Sequence, residues 1–188
     1  GTWSSKVGAS KESACSNCGI GKYGQNSTGA NNKTSCKSCD GGKYLDSVGA
    51  YGNQSCSECP LGFVQERQGQ AFCLPCTPGK YMNEDGKHIC NKCLQGKSST
   101  EVARVRSCDV CDTGLHQPNL GMTACLACIP GKYQPEHGEQ LCHNCATNTY
   151  SPTSNASQCM ACAIGKTADE GSSQCQSCEA GKYGAVCD

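Results

Sequence analysis

Across 188 residues the chain carries 21 cysteines and 23 glycines. Leu, Ile, Val and Phe together number only 21 (8, 4, 7 and 2), about 11% of the chain and well below the ~20% at which apolar burial alone offsets the entropy of ordering a domain. Sixteen Lys+Arg against sixteen Asp+Glu remove the electrostatic basis for binding nucleic acid or an anionic membrane surface.

Residues 1–14 hold the single tryptophan, Trp3, and no cysteine, and are expected to form an arm or tail. Gly1 to Ser10 lacks the apolar core of a signal peptide, and no apolar run approaches the ~18 residues of a membrane span, so a mature secreted form with no direct membrane insertion is expected.

From Cys15 onward the chain keeps a beat. Twenty cysteines form ten C-x-x-C pairs beginning at Cys15, Cys36, Cys56, Cys73, Cys90, Cys108, Cys125, Cys142, Cys159 and Cys175, a period of about 17 that marks one small unit repeated in tandem over 15–188. Three residues after each pair stand Gly21, Gly42, Gly62, Gly79, Gly96, Gly114, Gly131, Asn148, Gly165 and Gly181. Asn is the usual substitute for Gly where φ is positive, so a left-handed residue is expected in every unit. Two residues further on, six of the seven tyrosines occupy one slot: Tyr23, Tyr44, Tyr81, Tyr133, Tyr150 and Tyr183, with Val64, Ser98, His116 and Thr167 in the others. A second turn signal falls four residues before the next pair at Asn32, Gly52, Gly69, Gly86, Gly121, Gly138, Asn155 and Gly171, with Lys11 and Arg104 as exceptions.

The unit Cys76 to Cys90 reads as a β-hairpin, with a strand around Lys80 to Met82, a polar turn over Asn83 to Gly86 and a return strand at Lys87 to Ile89. An isolated two-stranded hairpin is marginal in water, so each unit must be stapled and stacked on its neighbours. The fold expected is small and disulfide-rich: an elongated rod of about ten stapled β-hairpins with little regular secondary structure and no helix-based core. Residues 178–188 are expected to close it as a terminal cap.

The spacing C-x2-C-x17-C-x2-C of Cys15 to Cys39 lies within the zinc-ribbon range. Zinc knuckles, however, usually place Gly directly after the second cysteine, where this chain has it only at Gly19 and has Pro60, Leu94, Ile129 and Glu179 at equivalent places, and a ribbon array should alternate between within-site and between-site spacings, which this one does not. No metal or cofactor is therefore expected, and the cysteines are read as disulfides. Joining the second cysteine of each pair to the first of the next closes each hairpin: Cys18 to Cys36, Cys39 to Cys56, Cys59 to Cys73, Cys76 to Cys90, Cys93 to Cys108, Cys111 to Cys125, Cys128 to Cys142, Cys145 to Cys159, Cys162 to Cys175 and Cys178 to Cys187. Cys15 is then left over, as a free thiol or an intermolecular link. An interlocked scheme, first with third and second with fourth, leaves Cys187 over instead, and sequence alone does not choose.

The pattern C-x-x-G-K-Y-x(n)-C-x-x-C, as in Cys128-Ile-Pro-Gly-Lys-Tyr133 and Cys142-His-Asn-Cys145, resembles the first module of tumour-necrosis-factor-receptor cysteine-rich domains. It is closer still to the ephrin-receptor-like cysteine-rich repeats found in tandem in secreted and protist surface proteins. The resemblance spans about 15–188, and implies the hairpin-closing pairing. The receptor family's C-x-x-C-x-x-C and interlocked second module are absent.

Four sequons, Asn26, Asn32, Asn53 and Asn155, fit N-linked glycans on a secreted protein. Lysines precede the tyrosine slot (Lys22, Lys43, Lys80, Lys97, Lys132, Lys166 and Lys182), and acidic residues lie near the hairpin tips (Asp46, Glu66, Glu84, Glu101, Glu136, Asp169 and Glu170). Such rows are either a solvated face or a means of self-association. His88, His116, His137 and His143 sit in different units without a shared motif, and Asp109 and Asp112 lack the spacing of a calcium loop, so an enzyme is not expected. Leu61, Phe63, Val64 and Phe72 come nearest to an apolar ligand patch. Two functions remain: an extracellular structural protein that self-associates into a fibre, coat or surface appendage, or a stalk or ligand-binding ectodomain that meets another surface protein.

Overall fold

The computed structural model describes residues 2–3, 16–25, 36–182 and 187. Among them are twenty short strands, no α-helix and one 3-10 turn, Asn53–Ser55. Strand β1 (Thr2–Trp3) pairs with β2 (Ser16–Asn17). The remaining strands form nine two-stranded hairpins in chain order. They are β3 (Lys22–Gly24) with β4 (Cys36–Ser38), β5 (Lys43–Tyr44) with β6 (Ser57–Glu58), β7 (Phe63–Val64) with β8 (Leu74–Pro75), and β9 (Lys80–Tyr81) with β10 (Asn91–Lys92). Then come β11 (Lys97–Ser98) with β12 (Asp109–Val110), β13 (Leu115–His116) with β14 (Leu126–Ala127), β15 (Lys132–Tyr133) with β16 (His143–Asn144), β17 (Thr149–Tyr150) with β18 (Met160–Ala161), and β19 (Lys166–Thr167) with β20 (Gln176–Ser177).

Ten disulfides close these units: Cys18–Cys36, Cys39–Cys56, Cys59–Cys73, Cys76–Cys90, Cys93–Cys108, Cys111–Cys125, Cys128–Cys142, Cys145–Cys159, Cys162–Cys175 and Cys178–Cys187. The protein is thus a small disulfide-rich fold of stapled hairpin repeats. Most bridges span 13 to 18 residues and the last spans 9. A loop of that usual length is worth roughly 3 kcal/mol per bridge in the chain-entropy view. Cys15 lies outside the described residues, as do Asn26 and Asn32.

The return strands sit one step later than the hairpin pattern predicts. In the unit Cys76 to Cys90 the second strand is not Lys87 to Ile89 but β10, inside the C-x-x-C pair itself. The backbone before it is turned toward the preceding hairpin: Gly86 N–H donates to Cys59 C=O at 2.8 Å, and Lys87 C=O accepts from Gln65 N–H at 3.3 Å. Peptide groups aimed at a neighbouring repeat face away from their own ladder.

Contacts group the chain into two compact units, Gly1–Asn91 with Glu101–Ser107, and Lys92–Thr100 with Cys108–Asp188. In the first, the N–H groups of Gly49, Gly69, Gly86 and Ala103 donate to the carbonyls of Cys18, Cys39, Cys59 and Cys76. In the second, Gly121, Gly138, Asn155 and Gly171 donate to Cys93, Cys111, Cys128 and Cys145. All eight bonds measure 2.8 to 3.0 Å, and all eight donors have φ between 54° and 75°. The tip of each hairpin is therefore bonded to the base of the one before it. Two of these donors differ from the turn residues read off the sequence: Gly49 acts instead of Gly52, and Ala103 instead of the exceptional Arg104.

The glycine slot explains itself by a second contact. Within the first unit, a Cβ on Gly21, Gly42 or Gly62 would collide with the carbonyl of Gly69, Gly86 or Ala103; within the second, one on Gly96, Gly114 or Gly131 would collide with that of Gly138, Asn155 or Gly171. Each of these six slots is thus roofed by the tip of the hairpin two repeats on. Asn148, with φ 61°, is half-buried, and Gly165 has no atom within 4 Å of an added Cβ. The slot demands glycine only where backbone lies over it.

Strand β1 pairs Thr2 with Asn17 and Trp3 with Ser16, the same register in which Lys22 meets Ser38 and Tyr23 meets Lys37. The described part of the expected arm thus follows the backbone pattern of a repeat.

Gly114→Ala is expected to lower the chemical-denaturation midpoint by several times the shift caused by Gly165→Ala. Both bear the cost of positive φ, about 1–2 kcal/mol, but only the first also drives a methyl into backbone. Equal shifts in oxidised protein would refute the roofing contact.

Candidate functional site

The residue directly after the tyrosine slot forms the interior. Leu45, Gln65, Met82, Ser99, Gln117, Gln134, Ser151 and Ala168 are all at most 5% exposed, and Gly24 at the same position is buried. The backbones of Leu45, Gln65, Met82, Gln117, Gln134 and Ser151 bond on both sides. Gln117 C=O accepts from Gly96 N–H at 2.8 Å, while its own N–H donates to Glu139 C=O at 3.1 Å. The pattern recurs at Gln134, with Gly114 and Ala156. This row was missed in the sequence because its residues share no chemistry; its one legible signal is that none of them is charged.

Where the row holds Gln, the side chain clasps its own hairpin loop. Gln65 Nε2 donates to Phe72 C=O at 2.8 Å, Gln117 to Ala124 at 2.7 Å and Gln134 to Leu141 at 2.6 Å. The matching Oε1 atoms accept from the N–H groups of Arg67, Asn119 and Glu136 at 3.0 to 3.1 Å. Each buried amide is satisfied at both ends, as burial requires. In the hairpin closed by Cys93–Cys108 the row holds the shorter Ser99, and the equivalent carbonyl, that of Ser107, is taken by Arg104 through Nε at 3.0 Å and Nη2 at 2.8 Å. Arg104 is only 2% exposed, and its Nη1 meets the Glu101 carboxylate at 2.9 Å. The one arginine that breaks the glycine row therefore replaces a missing glutamine.

Slot residues lie on the disulfide of the next hairpin. Tyr23 packs against Cys39, Leu45 and Cys56, and Val64 clusters with Cys76, Met82 and Cys90. Ser98 Oγ lies 3.3 Å from Cys125 Sγ. His116 Nδ1 lies 3.1 Å from Cys142 Sγ. Since a disulfide sulfur carries no proton, the imidazole is the donor there.

The charged rows fall on the surface. Asp46, Glu66, Glu84, Glu101, Glu136, Asp169 and Glu170 are all exposed, while Lys22, Lys43, Lys80, Lys97 and Lys132 on the first strands are half-buried. Lys43 faces Glu58 across its hairpin, Nζ to carboxylate 3.6 Å, and Glu84 pairs with Lys87 at 2.8 Å, which holds the Lys87 ammonium above its usual pKa range through the Glu84 hydrogen bond. Arg106 also reaches Glu101 at 3.3 Å.

The apolar quartet divides. Val64 joins the core, whereas Leu61 and Phe72 are exposed, Phe72 to 62%. Of the sequons within the described residues, Asn53 and Asn155 are both exposed; Asn53 opens the 3-10 turn, and Asn155 holds a left-handed backbone at φ 64°. His88 and His143 are exposed, His143 lying tilted against Tyr133 at 5.8 Å between ring centres. His137 stands 3.5 Å from Asp112. The histidines are not brought together. Among the described residues one group of metal-ligating side chains does converge, His116 with Cys128 and Cys142.

Among the described residues no helix is long and apolar enough to cross a membrane. Comparison with protein-family profiles and with curated proteins found no match. The ten bridges fit a protein made in an oxidising, extracellular or secretory compartment.

Gln134→Met keeps the side-chain length but leaves Leu141 C=O and Glu136 N–H without their partner. A loss of about 1–3 kcal/mol is expected, read as a lower denaturation midpoint, with Glu136→Gln on the surface staying within about 0.5 kcal/mol of wild type.

Proposed function

We propose that the chain is an extracellular structural protein that self-associates into a fibre, coat or surface appendage. One observation carries this reading most directly. The buried positions are occupied by disulfides and hydrogen-bonded side chains that close each hairpin and by backbone that bonds repeat to repeat, while the charged residues recur on the outside. A module built this way hardens a surface covalently and presents a similar charge motif at most of its steps, with Phe63, Leu115 and Thr149 standing where the other units have lysine. Basic side chains on the first strands and acidic side chains at the tips, in a chain of zero formal net charge, favour staggered contact between copies. Glycans on Asn53 and Asn155, and on Asn26 and Asn32, would decorate the same exterior. The odd cysteine, Cys15, would then supply a covalent link beyond the chain's own hairpins. The second reading, a stalk or ligand-binding ectodomain, draws its support from the exposed side chains of Leu61, Phe72 and Leu74 around one hairpin.

Negative-stain images and sedimentation of the native protein test the first reading. Filaments or sheets are expected at low salt and their dissociation is expected near 1 M, where the Debye length falls to about 3 Å. Particles that remain single at every ionic strength would overturn it. Non-reducing mass mapping is expected to find Cys15 joined to a cysteine outside the ten hairpin bridges, and enzymatic deglycosylation to lower the mass.

A further inference from the structure

Although the Ser98 hydroxyl reaches a sulfur, that of Cys125 at 3.3 Å, the slot over the next disulfide is filled by groups that are not ordinary zinc ligands at Tyr23, Val64 and Ser98. At His116 it is not. The imidazole lies against the bridge of the following hairpin, Nδ1 to Cys142 Sγ 3.1 Å, and one ring nitrogen of His116, Cys128 Sγ and Cys142 Sγ all lie within 4.8 Å of one another. Cys128 is fully buried, and His116 and Cys142 are half-buried.

We propose that the Cys128–Cys142 bridge and His116 form a thiol-gated zinc site: closed as a disulfide, and a three-donor site for Zn²⁺ once that bridge is reduced. Two equivalents of a small thiol, RSH, convert the bridge to the Cys128 and Cys142 thiols and leave RSSR. Zn²⁺ then binds both sulfurs as thiolates, releasing two protons to solvent, and takes the third bond from His116. Zinc–sulfur bonds of about 2.3 Å at a tetrahedral angle place the two sulfurs roughly 3.7 Å apart. The site thus opens by about 1.7 Å from the disulfide length, its three donor atoms already within 4.8 Å of one another. Two thiolates and one imidazole, with water in a fourth position, are a donor set that suits this ion.

The surrounding hairpin does not depend on the bridge alone. Its strands pair Lys132 with Asn144 and Tyr133 with His143, the Gln134 clasp ties the loop, and Asn155 N–H holds the Cys128 carbonyl from the following hairpin. The reduced cysteines are therefore kept near each other. Because zinc binds only the reduced form, it draws that bridge open by mass action.

The test holds intact protein in a glutathione redox buffer, with Zn²⁺ at a fixed free concentration or absent. Exposed thiols are then trapped by acid and located by mass mapping after metal removal. Bound zinc is counted by native mass spectrometry. Zinc is expected to raise the reduced fraction of Cys128–Cys142 at least ~10-fold over the metal-free buffer, with one ion bound and the other nine bridges unmoved. His116→Tyr installs the residue that fills this slot in other repeats, so it is expected to fold, and to lose both the bound ion and the zinc-driven opening. His143→Ala, one residue from Cys142 but turned to Tyr133, is expected to retain both. Zinc that opens no bridge, opens several alike, or binds the His116→Tyr variant as well as wild type would overturn the proposal.

Discussion

A backbone hydrogen bond between repeats underlies this structure. The carbonyl of the second cysteine in a pair accepts from a left-handed residue at the tip of the next hairpin, eight times over in the described residues. With so few large apolar side chains, the chain has little burial to drive association of its hairpins. It binds them through peptide groups instead, and the geometry of that bond dictates much else. The donor must have positive φ, which selects Gly, Asn or a strained Ala103. In six of the eight the donor's own carbonyl is then pressed onto the glycine slot two repeats back, which excludes any side chain there.

The interior that results is narrow, and what fills it is chosen by satisfaction rather than by hydrophobicity. A buried glutamine is tolerated because both ends of its amide reach loop backbone, and Arg104 is tolerated because Ser107 C=O and the Glu101 carboxylate receive its guanidinium. Leu45, Met82 and Ala168 occupy the same row without polar partners. Residues as different as Gln and Leu are interchangeable along this row because the backbone at that position makes the same bonds in either case. The side chain only has to leave no polar group unpaired.

Function is freed from the interior by the same economy. Stacking consumes glycines, cysteines and one residue per repeat, leaving the acidic tips and Asn53 outside, and Asn155 exposed although its backbone takes part in the stacking. His116 is different, because it sits in a stacking slot yet carries chemistry that stacking does not require. The Tyr23 ring and the Val64 side chain complete a neighbour's packing with carbon alone.

The period of the cysteines, the left-handed glycine positions and the division into hairpin units were determined by the sequence itself; which cysteines staple those units was not. Each depends on spacing or on a residue type that only one backbone conformation favours. Gly and Asn alternating in one slot of the repeat, as at Gly21 and Asn148, announce positive φ there, and C-x-x-C pairs 17 residues apart announce a repeat. The return strands, the buried row and the role of Arg104 were decided only by tertiary structure. Lys87 reads as strand until its carbonyl is claimed by Gln65 of the preceding hairpin, and Gln117 reads as surface until its neighbours enclose it. The outcomes at Lys87 and Gln117 depend on contacts between residues 21 or 22 positions apart, and a local pattern carries no record of which peptide group a neighbouring repeat will take.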